Sequence, residues 1–198
     1  MTSAPTIRVA VPSDAARLAA IALAAYAKYV PRLGREPIPV RADYPAAIAA
    51  GQVVVIERDG AIQGYLVAWA EPDAYFLDNI AVDPAHAGKG LGRALIDHAA
   101  AEARRRRLPA LRLHTNVTMT ENIAMYGHLG FVETHRGIEN GFHRVHMRRG
   151  CDHSTSCASF VPETVTARSD ARLRHPAASK KPTCSGLMYR RSSTLAIS

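Results

Sequence analysis

Residues 52–84, QVVVIERDGAIQGYLVAWAEPDAYFLDNIAVDP, hold three extended apolar runs with no helix between them. Asp59-Gly60 joins the first two, a dipeptide suited to the positive φ angles of a tight hairpin. The third run, 75–84, continues the meander. Strands linked this closely pair antiparallel, because a parallel return needs a crossover of a dozen residues or more. The chain therefore builds a sheet that is not wholly parallel.

Elements on either side alternate between the two periods. TIRVAV (6–11) reads as a short strand, and Ser13 or Asp14 is placed to cap a helix over 14–29 with Leu18, Ile21, Ala22, Ala25 and Tyr29 at helical spacing. The proline-rich loop VPRLGREPIPV leads to a second helix near 42–50. After the meander, a helix over 90–106 sets Leu91, Ala94, Leu95, His98 and Ala99 on one stripe, with basic residues 104–107 at its carboxyl end, where the dipole favours them. A strand at 110–115, a helix over 120–129 closed by Gly130, and a last hairpin, FVETHRG and FHRVHMRR, complete the order β-α-α-β-β-β-α-β-α-β-β.

Composition breaks after residue 150. Residues 1–150 contain two serines and no cysteine, whereas 151–198 contain nine serines and all three cysteines, Cys151, Cys157 and Cys184. The second segment is polar and basic with neither apolar period, so two regions are expected: a folded domain over 1–150 and a disordered, low-complexity basic tail over 151–198. Cys151, His153 and Cys157 lack the paired spacing of a zinc site, and no metal is expected. The amino terminus carries no apolar signal region and no stretch is long enough to span a bilayer, which predicts a cytoplasmic protein without a membrane partner. The formal charge of +8 favours anionic partners in general. Nucleic acid is disfavoured, because the arginine run sits at a helix end without interleaved aromatics.

The segment HAGKGLGRAL places Gly88, Gly90 and Gly92 where a strand ends and a helix begins. Such a junction presents unpaired amides and the positive end of a dipole, and so suits a phosphate. The spacing is neither a Walker A string nor the dinucleotide fingerprint, which would need glycine at Arg93.

Together, NIAVDPAHAGKGLGRALIDHA and, some thirty residues later, NIAMYGHLGFVET resemble the GCN5-related N-acetyltransferase (GNAT) family, over roughly residues 6–149. The resemblance implies an α/β fold with a mixed, mostly antiparallel sheet of six to seven strands flanked by helices. It implies acetyl-CoA as co-substrate, with its pyrophosphate on the amides of Gly88, Lys89, Gly90, Leu91, Gly92 and Arg93. The first position of the family's loop pattern, usually Arg or Gln, is Ala87 here. The main chain of Ile80, Ala81 and Val82 would pair with the pantetheine arm in a gap beside the 110–115 strand. Tyr126 would protonate the departing thiolate. The asparagine often found seven residues before that tyrosine is replaced by Met119, and Asn122 stands one turn before Tyr126 in its stead. The general base is His114, Asp78 or water, Asp78 being expected by alternation on the face of Ile80 and Val82.

The function expected is direct transfer of an acetyl group to a primary amine of a small molecule. The other class open to the sequence is a non-catalytic acyl-CoA-binding sensor. The segment YAKYVPRLGREPIPVRADYPAAI would wall the acceptor side, with Tyr29, Asp43 and Tyr44 as candidate substrate contacts. Asp43 could equally start the second helix as its cap. A homodimer is left open.

Overall fold

The computed structural model describes residues 3–151. The basic tail with Cys157 and Cys184 lies outside the described residues.

Strand β1 (Thr6–Val9) leads through a tight turn at Pro12–Asp14 into helix α1 (Ala15–Tyr26). Asp14 stands at the start of α1, but its carboxylate turns back. It accepts the Val11 N–H at 2.8 Å and pairs with Arg8 at 2.7 Å. The proline-rich loop contains one further helical turn, α2 (Val30–Leu33), closed by Gly34 at φ 66°, and a short turn over Ile38–Arg41. Helix α3 (Tyr44–Ala49) follows, then the meander β2 (Val53–Arg58), β3 (Ala61–Ala70) and β4 (Tyr75–Val82). Helix α4 (Leu91–Arg105), β5 (Ala110–Asn116), α5 (Thr120–His128) and the hairpin β6 (Val132–Glu139) and β7 (Phe142–Gly150) complete the domain.

The seven strands form one sheet in the order β1-β2-β3-β4-β5-β7-β6. Every neighbouring pair is antiparallel except β4 and β5. Helices cover both faces. On one, Leu18 and Ile21 of α1 and Tyr44 and Ile48 of α3 pack on Val53, Val55, Tyr65 and Val67. On the other, Leu91, Leu95, Ile96 and Ala99 of α4 pack on Ile56, Leu66, Leu77, Leu111 and Val145. Central β3 is buried on both sides, as a strand between two helical layers must be. Cys151, grouped by composition with the tail, is itself buried on the α4 face, and its N–H donates to the Pro109 carbonyl at 2.8 Å.

Two irregularities position the site. The β4–β5 pairing covers only Tyr75–Leu111, Phe76–Arg112 and Leu77–Leu113. Beyond it β5 stays paired to β7 as far as Asn116–Arg144, so the sheet opens between β4 and β5. In β4 itself, Asn79 pairs with Val67 but Leu77 with Ala68, which leaves Asp78 as the extra residue of a β-bulge. The alternation expected to put Asp78 on the face of Ile80 and Val82 is thus broken at that residue.

Candidate active site

The opening between β4 and β5 separates two cavities that share Tyr26, Ile80, Asn122 and Tyr126 as common walls. The first is a groove of about 510 Å³, open to solvent, running from α1 along Ile80, Ala81 and Val82 to Ala87 and Gly92. The second is a recess lined by Leu33, Pro37, Ile38, Pro39, Asp78, His114, Phe142 and Arg144, among others.

The far end of the groove is the glycine loop. Gly88 and Gly90 hold φ of 75° and 76°, a left-handed backbone that L side chains rarely adopt. A Cβ built on either would meet nothing within 4 Å, so the space in front of the loop is free. Gly90 caps α4, and the first intrahelical bond runs from the Ala94 N–H to the Gly90 carbonyl at 3.0 Å. The amides of residues 91–93 precede it and have no acceptor within the helix. This cradle is made of backbone. Leu91 buries its side chain in the core, Lys89 is exposed, and Arg93 leans toward Asp97 at 3.7 Å. Ala87 lines the groove and adds no polar group there.

At the junction of the cavities, Tyr126 projects from α5, buried and edge-on to Phe131 with ring centroids 5.7 Å apart. Burial, assisted by nearby Tyr29, pushes its phenol above the ordinary value of 10.0, so it stays protonated at neutral pH. Asn122 lies one turn before it. Its Oδ1 accepts the Tyr29 hydroxyl at 3.0 Å, and its amide nitrogen lies 3.8 Å from the Met119 sulfur. Tyr26 donates to Asn79 Oδ1 at 3.0 Å, and its hydroxyl lies 3.3 Å from the Ile80 carbonyl oxygen at the start of the Ile80–Val82 stretch.

In the recess, Asp78 comes from β4 and His114 from β5, the two parted strands. Asp78 is open to solvent, yet protein surrounds it on the walls of the recess. That partial burial raises its carboxyl, and the charge of Arg144 pulls it back. His114 lies against Phe76 and His146, and burial, together with the Arg144 charge, lowers it from 6.5 to about 4. Its imidazole is neutral at pH 7.

The segment expected to wall the acceptor side lines the recess through residues other than those expected. Leu33, Pro37, Ile38 and Pro39 line the recess. Two arginines strap the segment down. Arg32 pairs with Glu121 of α5 at 2.7 Å, while Arg35 donates to the Asn140 carbonyl at 3.2 Å and lies 3.3 Å over the Phe142 ring. Asp43 and Tyr44 line neither cavity. Asp43 caps α3 through a bond from the Ala46 N–H at 2.9 Å. Tyr44 is in the core, donating to the Pro39 carbonyl at 2.7 Å and lying 2.6 Å from the Tyr65 hydroxyl, with Asn79 Nδ2 donating to it at 3.2 Å. Tyr29 faces the groove rather than the recess. Phe142 and Arg144 were missed by sequence reasoning. Their signal is the alternation in FHRVHMRR, where Val145 and Met147 face the core and the residues between them face away.

Comparison with known proteins agrees with this architecture. The model of the acetyltransferase (GNAT) family matches residues 18–131. The [ribosomal protein bS18]-alanine N-acetyltransferase of Escherichia coli (strain K12) is 35% identical over 78 residues, 39% of this chain and 53% of that protein. The chain thus spans about half the length of the curated relatives it matches. The crystal structure of the ribosomal-protein-S18-alanine N-acetyltransferase from E. coli superposes with a TM-score of 0.61 at 23% identity, covering 79% of this chain and 100% of that one. The structure of yncA from Salmonella typhimurium, with its cofactor acetyl-CoA, does so at 0.57 with 26% identity, covering 80% and 100%. A seven-stranded sheet parted between its fourth and fifth strands, a glycine-opened helix beside the parting and a family match over most of the folded region lead to one assignment: the chain belongs to the GNAT acetyltransferase family.

Proposed function

We propose that the protein transfers an acetyl group from acetyl-CoA to the primary amine of a small molecule. The observation that carries this reading is the meeting of two cavities at Tyr126, where β4 and β5 part. The groove suits acetyl-CoA: free amides at the amino end of α4 for the pyrophosphate, the edge of Ile80–Val82 that β5 leaves without a strand partner for the pantetheine arm, and space before Gly88 and Gly90. Bound there, acetyl-CoA supplies the thioester.

The recess receives the amine. Its nitrogen forms a bond to the acetyl carbon as the carbon–sulfur bond breaks, and two protons must be placed. Asp78, whose basicity burial raises, takes the proton leaving nitrogen; His114, depressed to about 4, is the weaker base. Tyr126 gives its hydroxyl proton to the sulfur and recovers one from solvent. The phenol is a weaker acid than a thiol, so the transfer is assisted by the charge developing on sulfur and completed by reprotonation of the tyrosinate from solvent.

A small acceptor is favoured because the straps of Arg32 and Arg35 hold the 31–44 segment against α5 and the β6–β7 hairpin, bounding the recess. The curated relatives are named for acetylating an alanine of a ribosomal protein, so a protein amino terminus is the comparison to make. Thiol release is followed with acetyl-CoA and either a library of small amines or a peptide with amino-terminal alanine. Release with small amines alone is expected. Release with the peptide alone overturns the small-molecule assignment. Tight acetyl-CoA binding with no release under any amine indicates a sensor.

A further inference from the structure

The recess contains two opposite charges that do not pair with each other. Arg144 enters from β7, opposite Asn116 at the last rung of the β5–β7 ladder. Its guanidinium lies 5.2 Å over the Phe142 ring, whose surface is also covered by Arg35. Its Nε is buried without a hydrogen-bond partner, and among the described residues it forms no ion pair. Glu139, the nearest acidic group from the hairpin, is directed to His146 at 3.3 Å. An orphaned guanidinium nitrogen in a half-buried position is costly unless an anion completes it. Asp78 also lies in the recess, brought in by the bulge, with no ion pair among the described residues. Each charge influences the other across the cavity without contact.

We propose that the acceptor is a free α-amino acid, which gives its ammonium proton to solvent and places the free amine on Asp78, with its carboxylate bound by the Arg144 guanidinium. The planar fork of arginine matches a carboxylate with two parallel hydrogen bonds, and Phe142 keeps that fork oriented. The amine then points toward Asp78 and the Tyr126 junction. An amino terminus of a peptide carries an amide where the carboxylate would be and leaves Arg144 unsatisfied, as does a simple alkylamine. This inference rests on the recess being the acceptor site of the transfer proposed above.

The test compares the common free α-amino acids with their amides, which keep the amine and lose the carboxylate. Thiol release should favour at least one amino acid over its amide by roughly tenfold or more in kcat/KM, the scale of a charge-assisted hydrogen bond. Arg144→Gln should raise KM for the acid by a similar factor and so remove most of the preference for acid over amide, while Arg144→Lys restores part of it. Unchanged acetyl-CoA affinity and melting temperature show that the variants are folded. Equal use of acid and amide by the wild type, or equal loss of both in Arg144→Gln, overturns the proposal. If acetyl-CoA binds but no amine is acetylated, the transfer reading has failed, and calorimetry of the same compounds on the CoA-loaded protein decides separately. Binding of an acid but not its amide, abolished by Arg144→Gln, supports the recognition site. No binding of any acid overturns it.

Discussion

In the proposed transfer the chemistry turns on Tyr126: of the two tyrosines that wall both cavities, Tyr26 directs its hydroxyl to Asn79, whereas Tyr126 stands one turn after Asn122 on α5. Tyr126→Phe keeps the ring against Phe131 and removes only the proton. Turnover should fall by about 10²-fold, the lower end of general-acid assistance, with acetyl-CoA affinity nearly unchanged by calorimetry. Equal turnover would make Tyr126 a packing residue. Tyr44 shows the opposite case. In sequence it is a polar aromatic in the segment that walls the recess, and such a residue can face a ligand or the core with equal ease. What decides it is Asn79, thirty-five positions away, whose amide bonds the hydroxyls of both Tyr44 and Tyr65. No local pattern reveals that partner. Tyr44→Phe should therefore lower stability by about 1–3 kcal/mol in denaturant titrations, the cost of unsatisfied buried groups, and leave acceptor KM alone. A raised KM at unchanged stability would return Tyr44 to the site.

Among the elements, the meander and the glycine-opened helix were readable because each is a local pattern: a period of two with a turn dipeptide, and a run of glycines before a 3.6-residue stripe. The bulge at Asp78 was not, since its cause is the pairing of β4 with β3 rather than anything in YFLDNIAV. The strand that presents Ile80–Val82 is also held by a residue outside every motif. Gly64 of β3 lies opposite Val82, and a Cβ there would sit 2.9 Å from the Ala81 carbonyl oxygen and 3.2 Å from an Ile56 methyl. Backbone cannot rotate away as a side chain can, so Gly64→Ala must move β4. The expected result is weaker acetyl-CoA binding together with a lower melting temperature, although Gly64 touches neither cavity. An unchanged dissociation constant would mean that the Ile80–Val82 backbone is not a ligand surface.

Across the whole molecule, the parted sheet has a consequence for acid stability. A file of rings, Trp69, Phe76, His114, His146 and His135, crosses from β3 to β6 with neighbouring centroids between 4.1 and 5.8 Å apart. His114 sits inside that file beside Arg144, where a positive charge is disfavoured by burial and by its neighbour. Its pKa falls from 6.5 to about 4 on folding. Above pH 6.5 both states leave it neutral and it contributes no slope. Between 6.5 and about 4 the unfolded chain binds a proton that the folded chain refuses, so stability falls as pH falls through that window. The full shift corresponds to about 3 kcal/mol at most, and solvent in the recess reduces it toward 1. Asp78, raised by burial, acts in the opposite sense as it protonates, so the total profile is a sum. The difference between wild type and His114→Gln isolates the imidazole. The two melting-temperature curves should run parallel above pH 6.5 and converge below it, with the wild type losing more per unit of acid. Curves that stay parallel down to pH 4 would show that His114 takes up its proton in the folded state as readily as in the unfolded one, and the recess would then be open enough to make it a base near neutral pH.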